Sequence, residues 1–178
     1  KIAYVVTSEW WGGGPMSLLS LLSALDRTCF QPFVISCTSQ NSPGFQIFSR
    51  ELQKQGVRHL SVKSLYGATQ SSARLLRGVS RLPSLLINVF KVYAALKREK
   101  VALVHTNDSY SNLFGSLAAK LAGLRLIYTV HLPSDLTFDN TWLPARPLVA
   151  LADKVVPTCF DFLRVASERG YTLSRFCP

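Results

Sequence analysis

"VALVHTNDSYSNLFGSLAAKLAGLRLIYTVH", residues 101–131, is the stretch on which the fold turns. "VALVHT" (101–106) is a short, continuous apolar run of the kind buried in a parallel sheet. "SNLFGSLAAKLAG" (111–123) reads as a helix closed by Gly123. "LRLIYTVH" (124–131) is the clearest strand of the chain, almost wholly apolar up to His131. A helical crossover between two buried strands predicts a parallel βαβ unit.

The same alternation continues outward in both directions. "IAYVVT" (2–7), "FVISC" (33–37), "VRHLSV" (57–62, nearer a sheet edge) and "DKVVPT" (153–158) read as strands. "PMSLLSLLSAL" (15–25), with Pro15 in its first turn, reads as a helix, as does "GFQIFSRELQKQG" (44–56), closed by Gly56. Further helices are expected at 143–152 and 160–170, and a long one over 73–99 is expected to break at Pro83. "YGATQSS" (66–72) is a polar connection. Six strand–helix units predict an α/β fold: a Rossmann-like, doubly wound, mostly parallel sheet flanked by helices, in one domain over 1–178.

Composition narrows the class. The chain has 178 residues, 48% apolar and 17% charged, enough for its own core and too apolar for disorder. No run reaches membrane-spanning length, since Leu82–Leu96 is broken by Pro83, Asn88 and Lys91. No signal peptide opens the chain, and a cytoplasmic protein with reduced thiols is expected. Met16 is the only methionine and "YTLSRFCP" ends without a closing helix, which suggests a piece of a longer chain. Cys29, Cys37, Cys159 and Cys177 make no CxxC pair and no metal-type spacing with histidine, and three of them are expected to be small core hydrophobes.

Ligands of such sheets collect at the carboxyl ends of the strands. That rule brings together Gly12–Gly14, the Ser36–Thr38 end, His105–Asp108 and His131–Asp135. Gly12, Gly13 and Gly14 do not form GxGxxG, and no acidic residue lies between Asp26 and Glu51, so a nicotinamide cofactor is disfavoured. A P-loop is absent too, because no Lys-Ser or Lys-Thr follows the glycines. What remains is a helix N-terminus with backbone amides suited to an anion, against a bare strand-to-helix turn. His131 sits on this rim as a ligand-facing candidate, with a structural histidine as the alternative. His105 is expected to shape the rim, and Asn107 and Asp108, read as more exposed, to meet a hydroxylated ligand. Asp135 and Asp139 read as capping or surface residues, and no Ser-His-Asp order, HExxH or cysteine-nucleophile context is found.

The net charge of +10 is concentrated: residues 50–100 hold eleven Lys or Arg against Glu51 and Glu99. Arg74, Arg77 and Arg81 fall on one helical stripe, a candidate face for anionic lipid or an anionic acceptor. Leu85, Leu86, Val89, Phe90, Tyr93 and Leu96 read as the apolar face that packs on the sheet. Nucleic acid is not indicated, because exposed aromatics are not interleaved with the basic residues.

Taken together, these motifs resemble the family 4 glycosyltransferases. "IAYVVTSEWWGGGPMSLLSLLSAL" is similar to the family's opening strand, Gly-Gly turn and leucine-rich helix. The stretch from "VHT" through "AG" to "YTVH" keeps the family's spacing, and "LADKVVPT" resembles the next strand. The resemblance implies one half of a GT-B fold, the N-terminal, acceptor-binding domain, with the donor-binding domain outside this chain. It implies retaining transfer from a nucleotide-sugar to a glycan, lipid or other acceptor, with no metal and no cofactor. It places Gly12 and Gly13 near the donor phosphates and His131 near the transferred sugar. Trp10 and Trp11 either line the acceptor side or pack the turn. Two positions depart from the family: Pro15 stands where Glu is frequent, and Leu132 where Gly is common. The alternative reading is a non-catalytic Rossmann-like binding module with a basic interaction face.

Overall fold

The computed structural model describes residues 1–7, 11–38, 41–63, 74–131, 136 and 145–177, with the backbone alone at 63, 74–81, 109–110 and 145. In chain order they form β1 (Ile2–Val6), α1 (Gly13–Ala24), β2 (Pro32–Thr38), α2 (Pro43–Lys54), β3 (Arg58–Lys63) and α3 (Arg74–Arg98). There follow β4 (Leu103–Thr106), α4 (Ser109–Leu121), β5 (Arg125–Val130), α5 (Ala145–Leu151), β6 (Lys154–Pro157) and α6 (Asp161–Glu168). The six strands make one sheet in the order β3-β2-β1-β4-β5-β6, every neighbouring pair parallel. This is the doubly wound Rossmann-like order that the alternation predicts, with β3 at an edge as expected.

Strand alternation sorts the core into two layers. Ala3, Val5, Phe33, Ile35 and Cys37 face one side, where α3, α4, α5 and α6 pack. Tyr4, Val6 and Val34 face the other, against Leu18 and Leu22 of α1 and Phe48 and Leu52 of α2. Helix ends follow from local chemistry. Ser42 caps α2 by accepting the Phe45 N–H, and Pro43 opens its first turn. Gly56 and Gly123, at φ 63° and 70°, supply the left-handed residue that ends α2 and α4. The Val57 and Leu124 amides then close back on Leu52 and Ala119.

Three expectations need correction. First, α3 runs unbroken through Pro83. Pro83 lies on the exposed side, where water can satisfy the carbonyl left without its N–H. An interior proline costs about 3 kcal/mol, whereas each of the buried Leu85, Val89, Val92 and Leu96 contributes about 1.5–3 kcal/mol, so packing wins. Second, Leu86 and Phe90 do not pack on the sheet: they are 47% and 60% exposed. Third, only Cys37 is buried, while Cys29 and Cys159 are exposed and Cys177 is intermediate. Burial pushes the Cys37 thiol far above its ordinary range, consistent with a small core hydrophobe.

Candidate functional site

β1 leads through α1 to β2 on one side, and β4 leads through α4 to β5 on the other. The two helices therefore leave the sheet in opposite directions, and their N-termini flank a crevice above β1 and β4. One carboxylate holds this crevice in shape. Asp108 accepts hydrogen bonds from the Thr7 N–H (2.6 Å), the Thr7 hydroxyl (2.6 Å) and the Ser111 N–H (2.8 Å). The Ser111 hydroxyl oxygen in turn accepts the Asp108 N–H at 3.1 Å, completing a capping box for α4. The end of β1 is thus tied to the start of α4 by side chains one hundred and one positions apart.

Asn107 is the second tie. Its backbone N–H bonds to the Val5 carbonyl (3.0 Å), drawing it inward one residue beyond the β4–β1 pairing, and it is 3% exposed. This is why it is not the exposed group that its sequence position suggests. Its Nδ2 donates to the Gly14 carbonyl at 3.2 Å, and its Oδ1 lies 3.3 Å from His131 Nε2. The Gly14 contact fixes which end of the amide is nitrogen, so the end facing His131 is a carbonyl oxygen that can only accept. A His131 Nε2–H can therefore donate to it.

His105 lies below, with Nε2 against the Thr129 hydroxyl and its ring 5.2 Å from that of Tyr4. Burial first, and the nearness of the His131 ring second, lower its pKa from 6.5 to about 4, which keeps the His105 ring neutral near pH 7.

Gly12 is the N-cap of α1 and has no side chain to cap with, and the first turn carries no acidic residue. The three glycines differ from those that end helices. Gly12 has an extended backbone (φ −165°, ψ −165°), and none of the three has a positive φ. A Cβ built on Gly12, Gly13 or Gly14 meets nothing within 4 Å. Neither backbone strain nor packing within the described residues calls for glycine at these positions.

Gly12–Gly14, Asn107 and His131 are thus joined in one hydrogen-bonded rim, with Asp108 securing it. Trp11 stands beside the glycines at 39% exposure. Trp10, Asp135 and Asp139 lie outside the described residues. Arg74, Arg77 and Arg81 fall within the helical backbone of α3, and their side chains lie outside the described part. Among the described residues no three His, Cys, Asp or Glu side chains are grouped to hold a metal ion. Thr7 escapes a sequence reading, although Asp108 three positions before Ser111 is a legible cap signal. Gly115 escapes it too: a Cβ there would lie 2.7 Å from the Thr106 methyl, so α4 sits directly on β4 and β1.

Known proteins supply the context for this rim. HepE from Anabaena, solved with UDP and glucose, superposes with a TM-score of 0.66 at 16% identity, over 99% of this chain and 43% of HepE. The lipopolysaccharide outer core galactosyltransferase WaaB does so with a TM-score of 0.67 at 14% identity, over 99% of this chain and 44% of WaaB. A UDP-N-acetylglucosamine 2-epimerase from Rickettsia bellii matches at 0.64 and 16% identity, over 98% of this chain and 43% of its own. At such identities the likeness is one of fold, and the chain spans less than half of each of these proteins. Among curated sequences, the thiamine repressible genes regulatory protein thi5 of Schizosaccharomyces pombe is 33% identical over 94 residues, 49% of this chain and 11% of thi5. The profile of Glycosyltransferase Family 4 matches residues 11–171, from Trp11 beside the glycine lip through the sheet to Tyr171. The chain belongs to Glycosyltransferase Family 4.

Proposed function

We propose that this chain is the acceptor-side half of a glycosyltransferase that moves a sugar, with retention of configuration, from a nucleotide-sugar to a glycan, lipid or other acceptor at the cytoplasmic face of a membrane. In this reading the donor-binding half is another segment of the full-length protein. The N-terminus of α1 forms one lip of the cleft between the halves, where its first-turn amides and helix dipole favour the donor's phosphates. His131 meets the transferred sugar. Asn107 and Asp108 hold the lip and the histidine in place rather than reaching the ligand themselves. Stabilisation of an anion by a helix N-terminus is worth about 0.3–1 kcal/mol when exposed and about 2 kcal/mol when partly buried. Closing the cleft therefore strengthens the contribution of the lip.

The observation that carries this reading is the glycine lip, where three consecutive residues lack a Cβ that the described residues would accommodate. Support comes from HepE, whose structure holds UDP and glucose, and from the family itself. The test is Gly13→Ala in the full-length protein, assayed for sugar transfer from UDP-glucose and for thermal unfolding. The expected result is an unchanged or slightly raised midpoint with kcat/KM at least about tenfold lower, a transition-state loss near 1.4 kcal/mol. Unchanged kcat/KM would remove the lip from the site. A non-catalytic module would show no transfer from any nucleotide-sugar, even with the donor half present.

A further inference from the structure

An amphipathic helix that covers a sheet turns polar side chains to water. α3 does not. Its inner side buries Leu85, Val89, Val92 and Leu96 at 3%, 2%, 0% and 1% exposure. Its outer side presents Leu82, Leu86 and Phe90 at i, i+4 and i+8, exposed by 43%, 47% and 60%. Ile87 stands beside them at 42%, one turn beyond the exposed Pro83. The result is a ridge of bulky apolar groups about 12 Å long on the middle of the helix. Single exposed leucines need no explanation, but a contiguous ridge with a mostly exposed phenylalanine does.

Charge decides between occupants. α3 carries six Lys or Arg and no acidic residue. Lys91, next to Phe90, is exposed, and so are Lys97 and Arg98 further along. The two acidic residues of the basic block, Glu51 and Glu99, are each engaged, Glu51 by Lys54 and the buried Glu99 by Lys1, Arg58 and Arg98. A second copy of this chain, paired symmetrically on the ridge, would set these cations against their own counterparts. A surface that is both apolar in depth and anionic at its face complements the ridge and its flanks together. We propose that the outer face of α3, from Leu82 to Phe90 with Lys91, Lys97 and Arg98 at its margin, docks on the surface of an anionic lipid bilayer. The helix lies in the plane of the interface with its apolar groups among the acyl chains. No described helix is long and apolar enough to cross a membrane, so the contact is peripheral. This inference stands independently of sugar transfer, because vesicle binding and transfer to a water-soluble acceptor are read separately.

The experiment is co-sedimentation of the chain with vesicles of phosphatidylcholine, or of phosphatidylglycerol mixed one to two with phosphatidylcholine. Binding is expected to the phosphatidylglycerol vesicles, to weaken with added salt, and to be slight on phosphatidylcholine alone. Leu86→Ser with Phe90→Ser is expected to lower the partition coefficient by about tenfold or more at an unchanged unfolding midpoint, both side chains being half exposed. Should that pair perturb folding, Lys91→Glu alone is expected to weaken binding to phosphatidylglycerol vesicles and leave the residual binding to phosphatidylcholine unaltered. Three results would overturn the proposal. They are no binding by the parent chain, equal binding by folded variants, or a dimer in solution that the serine pair converts to monomer.

Discussion

Asn107 illustrates how much one buried amide can set. Its two hydrogen bonds reach the N-terminal turn of α1 and the histidine after β5, elements that share no sequence neighbourhood. Its orientation, fixed on the Gly14 carbonyl, turns an acceptor oxygen toward His131 Nε2. His105, one layer deeper, gives a pH test at the same scale. Its folded pKa of about 4 lies below the ordinary 6.5, so the unfolded chain binds a proton more readily. Its stabilisation is therefore complete above pH 6.5 and lost as pH falls toward 4, a span of about 3 kcal/mol. His59, whose pKa burial also lowers, acts in the same direction. Urea unfolding between pH 7.5 and 5 (about two and a half units of pH) should show falling stability, and His105→Gln should flatten that slope. An equal slope in the variant would assign it elsewhere.

At the scale of elements, two kinds of glycine in this chain differ in what surrounds them. A Cβ added at Gly115 in α4 would lie 2.7 Å from the buried Thr106 methyl and 3.3 Å from Val5. Gly115→Ala gains up to about 1 kcal/mol in helix propensity, but overpacking costs about 1–3 kcal/mol. A net loss of about 1 kcal/mol is expected, read as a lowered thermal midpoint. Gly13→Ala, with open space around it, should leave the midpoint unchanged or slightly raised. If the two substitutions cost the same, the open space beside the α1 lip is filled by something other than a ligand. Some element ends were legible in advance because their determinant is local. Gly56 and Gly123 were read as such ends, whereas Ser42 and the Asp108–Ser111 pair, which act through equally local bonds, emerge only in the structure. Pro83 was misleading for the opposite reason, because whether a proline breaks a helix depends on what packs against the helix on either side of it.

For the whole molecule, the proposed division of labour makes a direct prediction. In that proposal this chain supplies one wall of the cleft; it spans 43% of HepE and 44% of WaaB. Calorimetric titration of this chain with UDP-glucose is expected to give a Kd weaker than about 1 mM, and the full-length protein a tighter one. Tight binding by the chain alone would move the nucleotide site onto this half. The sequence by itself determined the order of strands and helices, the parallel pairing and the placing of Gly12–Gly14, His105 and His131 along one rim. Those features follow from hydrophobic period, from caps, and from the topological rule that a crossover helix leads to a parallel strand. Tertiary structure alone decided that Asn107 turns inward, that Asp108 is consumed by Thr7, and that Leu86 and Phe90 face out rather than in. The apolar period of α3 marks two sides alike, and only the helix's position on the sheet determines which of them water reaches.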